Sequence, residues 1–573
     1  MKSLNQYFCK TCGQISREST CRVCGGRTEL QSDLYWCPDC RIPLYTQQCS
    51  LCHRQGNRIA SDIRPVFPEE RLLIELILGS PCKYAADSVW CGGNYYYVNG
   101  KRIAFSRQKA KAFDSGVLRQ QLEDWKQENE SFRHYFEEYI NRFIRGNRQR
   151  FEEITGEAQE YILRMTEGKD AGSMFVSFSG GKDSTVVSDL VMCALSNPKI
   201  LHLYGDTTLE FPFSLDYVNR FQAQHRGTPL MVARNKEKDF AQLCQVIGPP
   251  SRVMRWCCTV FKTGAITRKI QVLFKNKPEV ISFQGIRRQE SASRSKYERE
   301  SSQSKIARQK VLAPIIDWSD FDVWLYLLTQ GLDFNEAYRY GYSRVGCWCC
   351  PNNSDWSEFL SSIYMPKQYE AFQKLLIDFA AQIGKPDPEN YVRDGKWKAR
   401  QGGNGLEAAS QSVLQYESCV LEEDAVNYEL TKPVSEELYE LFRPFGYLDF
   451  QRGNPRLGEV YILDRQGNGL LRLSGRIGST RLKVTLLDYR FAGAVSKKAA
   501  EEKIRAQLTK YQMCMGCRAC ESVCKMDAIS IREETDGTIH YRIDEKRCIR
   551  CGECVSHFIA GCYMRKVLSI RRT

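Results

Sequence analysis

The chain has 573 residues, room for three to five domains with ample core in the largest. Hydrophobic residues make up 42% and charged ones 26%, as in ordinary soluble proteins, and no apolar run approaches the ~20 residues that span a bilayer, so no membrane partner is expected. The net charge of +14 suits nucleic acid or anionic substrates, but Lys and Arg are scattered, and a solvated surface accounts for it equally well.

The 26 cysteines narrow the class further. The N-terminus is polar and carries no secretory signal pattern, so disulfides are not expected and metal ligation or redox chemistry is. The expected location is cytoplasmic, where iron–sulfur clusters survive.

Residues 1–56 carry Cys9-x2-Cys12, Cys21-x2-Cys24, Cys37-x2-Cys40 and Cys49-x2-Cys52. Four such knuckles make two four-thiolate sets suited to tetrahedral zinc, and metal supplies the folding energy that so small a segment lacks. Consecutive pairing puts Cys9, Cys12, Cys21 and Cys24 on one Zn2+ and Cys37, Cys40, Cys49 and Cys52 on a second, a pattern that looks like a double zinc ribbon. A structural clip is the plainer role; a nucleic-acid or protein contact is the other. Residues 57–115 read as a small α+β module with a hairpin signal at Asn99-Gly100, resembling in outline a PUA-type RNA-binding domain. Residues 116–170 are amphipathic, with Trp125, Phe132, Phe136, Ile140 and Phe143 near helical spacing, and read as a helical connector.

From 171 to 365 strand and helix patterns alternate. Strands are expected at Met174–Phe178, Ile200–Tyr204, Pro229–Ala233 and Val280–Gln284. This implies a parallel sheet with crossover helices, and ligands beyond the C-terminal ends of its strands. The turn Ser179-Gly180-Gly181 followed by Lys182, Asp183, Ser184 and Thr185 opens a helix, aims backbone N–H groups at one point and suits phosphate or sulfate. It is not a Walker A loop, which needs Gly where Val176 stands and Ser or Thr where Asp183 stands.

The Ser-Gly-Gly-x-Asp-Ser loop resembles that of PP-loop nucleotide-binding proteins, adenine nucleotide α-hydrolase-like in fold. Asp206-Thr207-x3-Phe211-Pro212 (with Thr208 for a family glycine), Gly285-x-Arg287-x2-Glu290-Ser291 with Arg294, and Pro314 to Trp318 before Asp322-Val323-Trp324 narrow the resemblance to the phosphoadenosine phosphosulfate (PAPS) reductase, or sulfonucleotide reductase, family. The resemblance implies a multidomain α/β protein whose central parallel sheet has helices on both faces. It implies nucleotide binding by Ser179 to Thr185, Asp206, Gly285, Arg287 and Arg288. Cys257-Cys258 with Cys347 and Cys350 resembles the pattern by which adenylylsulfate reductases hold a [4Fe-4S] cluster. Lys182 and Arg287 are then the catalytic cations. Cys419 is a candidate nucleophile, because it follows Glu417-Ser418 late in the chain, although the family's Glu-Cys-Gly-Leu-His tail is absent.

Residues 366–505 read as a helical and small β accessory region, with 410–443 helical and 458–494 a β module. In 506–573, Cys514-x2-Cys517-x2-Cys520-x3-Cys524 is the bacterial ferredoxin run, with Lys525 in place of proline, and Cys548-x2-Cys551-x2-Cys554-x7-Cys562 follows. The last cysteine of each run ordinarily ligates the other cluster. Cys514, Cys517, Cys520 and Cys562 therefore hold one [4Fe-4S], and Cys548, Cys551, Cys554 and Cys524 the second.

The expected function is reduction of adenylylsulfate or phosphoadenylylsulfate to sulfite and AMP or adenosine 3′,5′-bisphosphate, with electrons passing through the chain's own ferredoxin domain from an unnamed donor. The alternative is an ATP-dependent, adenylating sulfur transferase acting on tRNA or DNA, with Mg2+ accompanying ATP. The complete loop favours it, and the ribbons and PUA-like module would hold the nucleic acid. A non-catalytic scaffold is the third class.

Overall fold

The structure is a computed structural model. It describes residues 33–235, 239–252, 255–291, 294–302, 309–399, 414–514, 516–534, 539–557 and 562. Before residue 33 it describes the strands Gln6–Cys9, Ile15–Ser16 and Thr28–Gln31 with Cys12, Gln14, Val23 and Cys24. Those three strands form one antiparallel sheet, and Leu34–Cys37, Ile42–Leu44 and Asn57–Ala60 form a second. The next sheet has four antiparallel strands, Arg64–Pro65, Val89–Gly92, Tyr95–Val98 and Lys101–Arg102, beside the helix Pro68–Ile77. Its last hairpin turns at Asn99-Gly100 as expected, both at positive φ (48° and 78°), as a two-residue type I′ turn demands.

The central sheet positions the site. Its strands are Met174–Phe178, Leu201–Asp206, Leu230–Arg234, Val280–Gln284, Glu300–Ser301 and Gln309–Leu312. Numbered in that order, they lie 3-2-1-4-6-5, all parallel except Glu300–Ser301, which runs antiparallel at the edge. The four expected strands are present; the two after residue 299 had no strand signal strong enough to read. Met174–Phe178 is central and buried on both faces. Met174 and Val176 pack with Ile154, Val186 and Trp324 on one side, and Phe175 packs with Ala265 and Ile270 on the other. Strand order reverses between the first and fourth strands, so their C-terminal ends diverge into a crevice.

The accessory region departs from expectation. Its described part from 414 begins with strands Gln415–Ser418 and Ala425–Glu429, and the only helix before 443 is Glu436–Glu440. Ala425–Glu429 pairs with Arg481–Leu486, and the six-stranded antiparallel sheet continues through Gly469–Ser474, Glu459–Leu463 and Tyr447–Asp449. The helix expected over 410–443 yields to pairing with a strand more than fifty residues away, which overrides local propensity.

The helix Lys497–Met513 leads into the C-terminal cysteines. There the short helix Ala519–Val523, which carries Cys520, packs on the π-helical turn Cys258–Thr263 and the helix Gly264–Leu273 of the central region. Gly264 makes the approach possible: a Cβ there would stand 2.3 Å from Ser522 Oγ. Gln271 Nε2 donates to Lys525 O at 2.7 Å across the same seam. Gly264→Ala is expected to cost about 1–3 kcal/mol by overpacking this seam. A lowered thermal midpoint, partly restored by adding Ser522→Gly, is the outcome to measure.

Candidate functional site

The crevice opens as a cleft of about 700 Å³ lined by Ser179, Gly181, Lys182, Asp183 and Ser184 on one side and Gly285, Ile286 and Arg287 on the other. Gly180 adopts φ +69°, the left-handed turn the loop needs, and Asn335 Nδ2 donates to its carbonyl. Ser184 Oγ donates to Gly181 O at 2.8 Å and lies 3.1 Å from Ser179 Oγ, closing the loop on itself. Tyr338 OH accepts from the Lys182 N–H at 3.1 Å. Gly285 is required at the opposite wall, because a Cβ there would stand 2.7 Å from the carbonyl of Asp183.

Two cations and two carboxylates interlock at the cleft floor. Lys182 Nζ lies 3.1 Å from Asp183 and 3.2 Å from Asp320, while Arg287 lies 2.5 Å from Asp183 and 2.7 Å from Asp320. Both cationic side chains are 4% exposed. Burial alone would raise the two carboxyls, but Lys182 and Arg287 outweigh it and hold both below the usual carboxylate range. Burial alone would also lower Lys182, yet Asp183 and Asp320 keep it protonated. A third carboxylate, Asp62, enters from the segment after the second ribbon and lines the same cleft.

Farther along the cleft stand Lys262, Arg294, Arg344 and Cys347. Burial, and then Arg344 beside it, depress the Arg294 guanidinium. The Asp206-Thr207 segment serves this end of the cleft. Thr207 Oγ1 bonds the Glu210 carboxylate at 2.8 Å and lies 3.6 Å from Cys347 Sγ, and Trp348 N–H donates to Leu209 O at 3.0 Å. Thr208, where the family has glycine, keeps a positive φ of 65°.

Not every expected residue reaches the cleft. Gly180, Thr185, Asp206, Arg288 and Cys419 are not among its lining residues. Thr185 Oγ1 turns to Tyr217 OH at 2.8 Å, Asp206 accepts from Thr208 N–H at 2.8 Å, and Arg288 pairs with Asp317. Cys419 sits past the edge strand Gln415–Ser418, its N–H bonded to Ala425 O. Asp62, Asp320, Tyr338, Lys262 and Arg344 were missed. Each is a single residue with no motif of its own, although Lys262 follows Cys258 by one helical turn.

The thiols fall into separate groups. Cys37 and Cys52 Sγ lie 3.4 Å apart and Cys49 and Cys40 Sγ 3.8 Å apart, all four within 4.8 Å. Tetrahedral zinc with bonds of about 2.3 Å needs sulfur edges of about 3.8 Å, so this set fits one ion. Of the other ribbon set, Cys21 and the side chain of Cys9 lie outside the described residues. Cys257 interacts with Cys258 and Cys347, and Cys350 with Cys258, while Cys349 is buried near Cys244. Cys524, Cys548, Cys551 and Cys554 line one cavity, and Cys517 faces Cys514, Cys520 and Cys562. Four thiolates around a common space suit a [4Fe-4S] cube, whose ligands stand farther apart than those of a single ion.

Comparison with known families decides the central region. The model of the phosphoadenosine phosphosulfate reductase domain matches residues 173–353, and that of the 4Fe-4S dicluster domain matches residues 513–557. The chain carries a PAPS reductase domain and a 4Fe-4S dicluster domain. Two uncharacterized proteins of Methanocaldococcus jannaschii are 30% and 28% identical, over 41% and 46% of this chain and 48% and 61% of their own lengths. The chain thus spans about half to three-fifths of these relatives. An adenosine 5′-phosphosulfate reductase of Oceanobacillus iheyensis is 28% identical over 30% of this chain and 68% of its own. The phosphoadenylyl-sulfate reductase structure from Candida auris, a phosphate complex, aligns over 35% of this chain and 95% of its own, at 15% identity and a TM-score of 0.27. Among the described residues, no helix is long and apolar enough to cross a membrane.

Within the PAPS reductase domain, Arg287→Ala leaves Asp183 and Asp320 with one cation between them. Such a loss costs about 3–5 kcal/mol, and denaturant unfolding of the ligand-free protein is the measurement. In the ribbon, Cys40→Ala should remove one zinc per chain by elemental analysis and leave iron unchanged.

Proposed function

We propose that the chain is a sulfonucleotide reductase-like iron–sulfur enzyme, taking adenylylsulfate or phosphoadenylylsulfate to sulfite and AMP or adenosine 3′,5′-bisphosphate. The reaction breaks the bond from sulfur to the phosphate oxygen. The nucleotide keeps that oxygen, and two electrons convert the sulfuryl group into sulfite. Lys182, Arg287 and the loop from Ser179 to Ser184 bind the phosphosulfate by charge-assisted hydrogen bonds. Lys262, Arg294 and Arg344 surround its other end.

One observation carries the redox part. The helix bearing Cys520 packs directly on the turn beginning at Cys258, and Cys347 lines the nucleotide cleft. Dicluster domain, central thiols and cleft are therefore contiguous. Under this reading Cys257, Cys258, Cys347 and Cys350 hold a third [4Fe-4S] cluster, and the two sets in 514–562 hold the others. Clusters so placed supply electrons at the cleft wall. Cys347 is the one thiol among the described cleft residues and is committed as a ligand, which favours direct reduction over attack by a cysteine nucleophile. Cys419 has no part in it.

A second reading, an ATP-dependent sulfur transferase acting on tRNA or DNA, draws on the complete loop from Ser179 to Ser184. Anaerobic protein given low-potential electrons is expected to release sulfite from one of the two sulfonucleotides. ATP–pyrophosphate exchange without sulfite would sink the reductase reading and leave the transferase. Cys350→Ala should lower iron by about four atoms per chain; unchanged iron would refute the central cluster.

A further inference from the structure

Asp62 belongs to neither matched domain. It lies between the last strand of the second ribbon, Asn57–Ala60, and the strand Arg64–Pro65. From there it reaches the nucleotide cleft and accepts the N–H groups of Asp320 at 2.9 Å and Phe321 at 3.0 Å. These are the first residues of the helix Asp320–Thr329, whose own Ser319–Asp322 capping box satisfies other groups. Asp62 therefore holds the start of that helix, and with it the Asp320 carboxylate that bonds both Lys182 and Arg287.

We propose that Asp62 is a positioning residue of the anion site, and that its carboxylate sets how strongly Lys182 and Arg287 bind a negatively charged group. The inference rests on the reading that an anionic nucleotide binds at this loop. Lys182 and Arg287 are balanced by Asp183 and Asp320, so an ionised Asp62 leaves the floor net negative and a neutral Asp62 leaves it balanced. The charged groups facing Asp62 are Asp320 from its helix and Arg287 from the segment after Val280–Gln284. Lys182 and Asp183 stand behind Asp320, and on its own segment Arg64 is turned to Glu70 at 2.7 Å. Burial, and then the Asp320 charge, push the Asp62 carboxyl up to about 7. Below that pH Asp62 is neutral and does not oppose the ligand; above it the charged carboxylate does. An arriving anion raises this pKa further, so binding takes up a proton and affinity falls as pH rises through neutrality.

The test uses the full, anaerobically purified chain. Adenosine 5′-phosphosulfate together with its 3′-phosphorylated form, and α,β-methylene ATP, are titrated calorimetrically at pH 6 and pH 8 into wild type and Asp62→Asn. The ratio of wild-type to variant Kd removes any titration of the ligand. It should be near one at pH 6 and about fivefold at pH 8, as a rise of about one unit from 7 on ligand binding requires. A ratio that is the same at both pH values would mean a purely structural role and overturn the inference. Should Asp62→Asn not fold, proton uptake by wild type at pH 7, read from the buffer dependence of the binding enthalpy, decides instead. Uptake of a fraction of a proton supports the proposal, and none overturns it. If only the ATP analogue binds, with the expected ratio, the role of Asp62 stands and the reductase reading falls. If none of the ligands binds, both fall.

Discussion

The structure turns on the interlocked charges of Lys182, Arg287, Asp183 and Asp320. Taking four ionised groups out of water costs several kcal/mol each, and the arrangement persists because every cation touches both carboxylates. That geometry needs three elements to meet: the helix after the first strand, the segment after the fourth, and the start of the helix at 320. They meet because strand order reverses between the first and fourth strands, and because Gly285 lets one backbone approach the other. A bound anion can replace the carboxylates as partner of the same cations, so the motif that steadies the cleft also prepares it to bind.

The sulfur chemistry is arranged by distance. Four ribbon thiols converge to the spacing of one tetrahedral ion, whereas Cys524, Cys548, Cys551 and Cys554 line a common cavity. The C-terminal helix Ala519–Val523 docks on the central region through Gly264, where no side chain intervenes. Electron transfer between centres depends steeply on separation, and such packing is what a chain would need to work without a diffusing carrier. The ribbon is tied to the same centre. Arg150 stacks on Tyr45 at 3.9 Å and bonds Asp322 at 2.8 Å on the helix that presents Asp320, and Asp62 caps that helix.

Much of the site was legible because its parts are short and local. A Gly-Gly turn after an apolar strand, a Gly-x-Arg after another, and cysteines at two-residue spacing each declare themselves within ten residues. What escaped was what depends on distant partners. Asp62 and Asp320 are 258 residues apart in the chain and meet because the Asp62 carboxylate accepts the N–H groups of Asp320 and its neighbour Phe321. Neither has a local signature. Residues 410–443 read as helical, while the strand Ala425–Glu429 within them is decided by its pairing with Arg481–Leu486. Asp206, expected at the ligand, accepts the Thr208 N–H and is not among the residues that line the cleft.

Sequence alone determined the sheet's central strands, the phosphate-type loop and the four-thiol set of Cys37, Cys40, Cys49 and Cys52, because backbone propensity and ligand spacing act over a few residues. Only the tertiary structure decided which charges face each other in the cleft, that a ribbon-proximal aspartate joins them, and that the C-terminal cysteines abut the central ones. Those outcomes follow from the packing of elements hundreds of residues apart, and no local pattern encodes them.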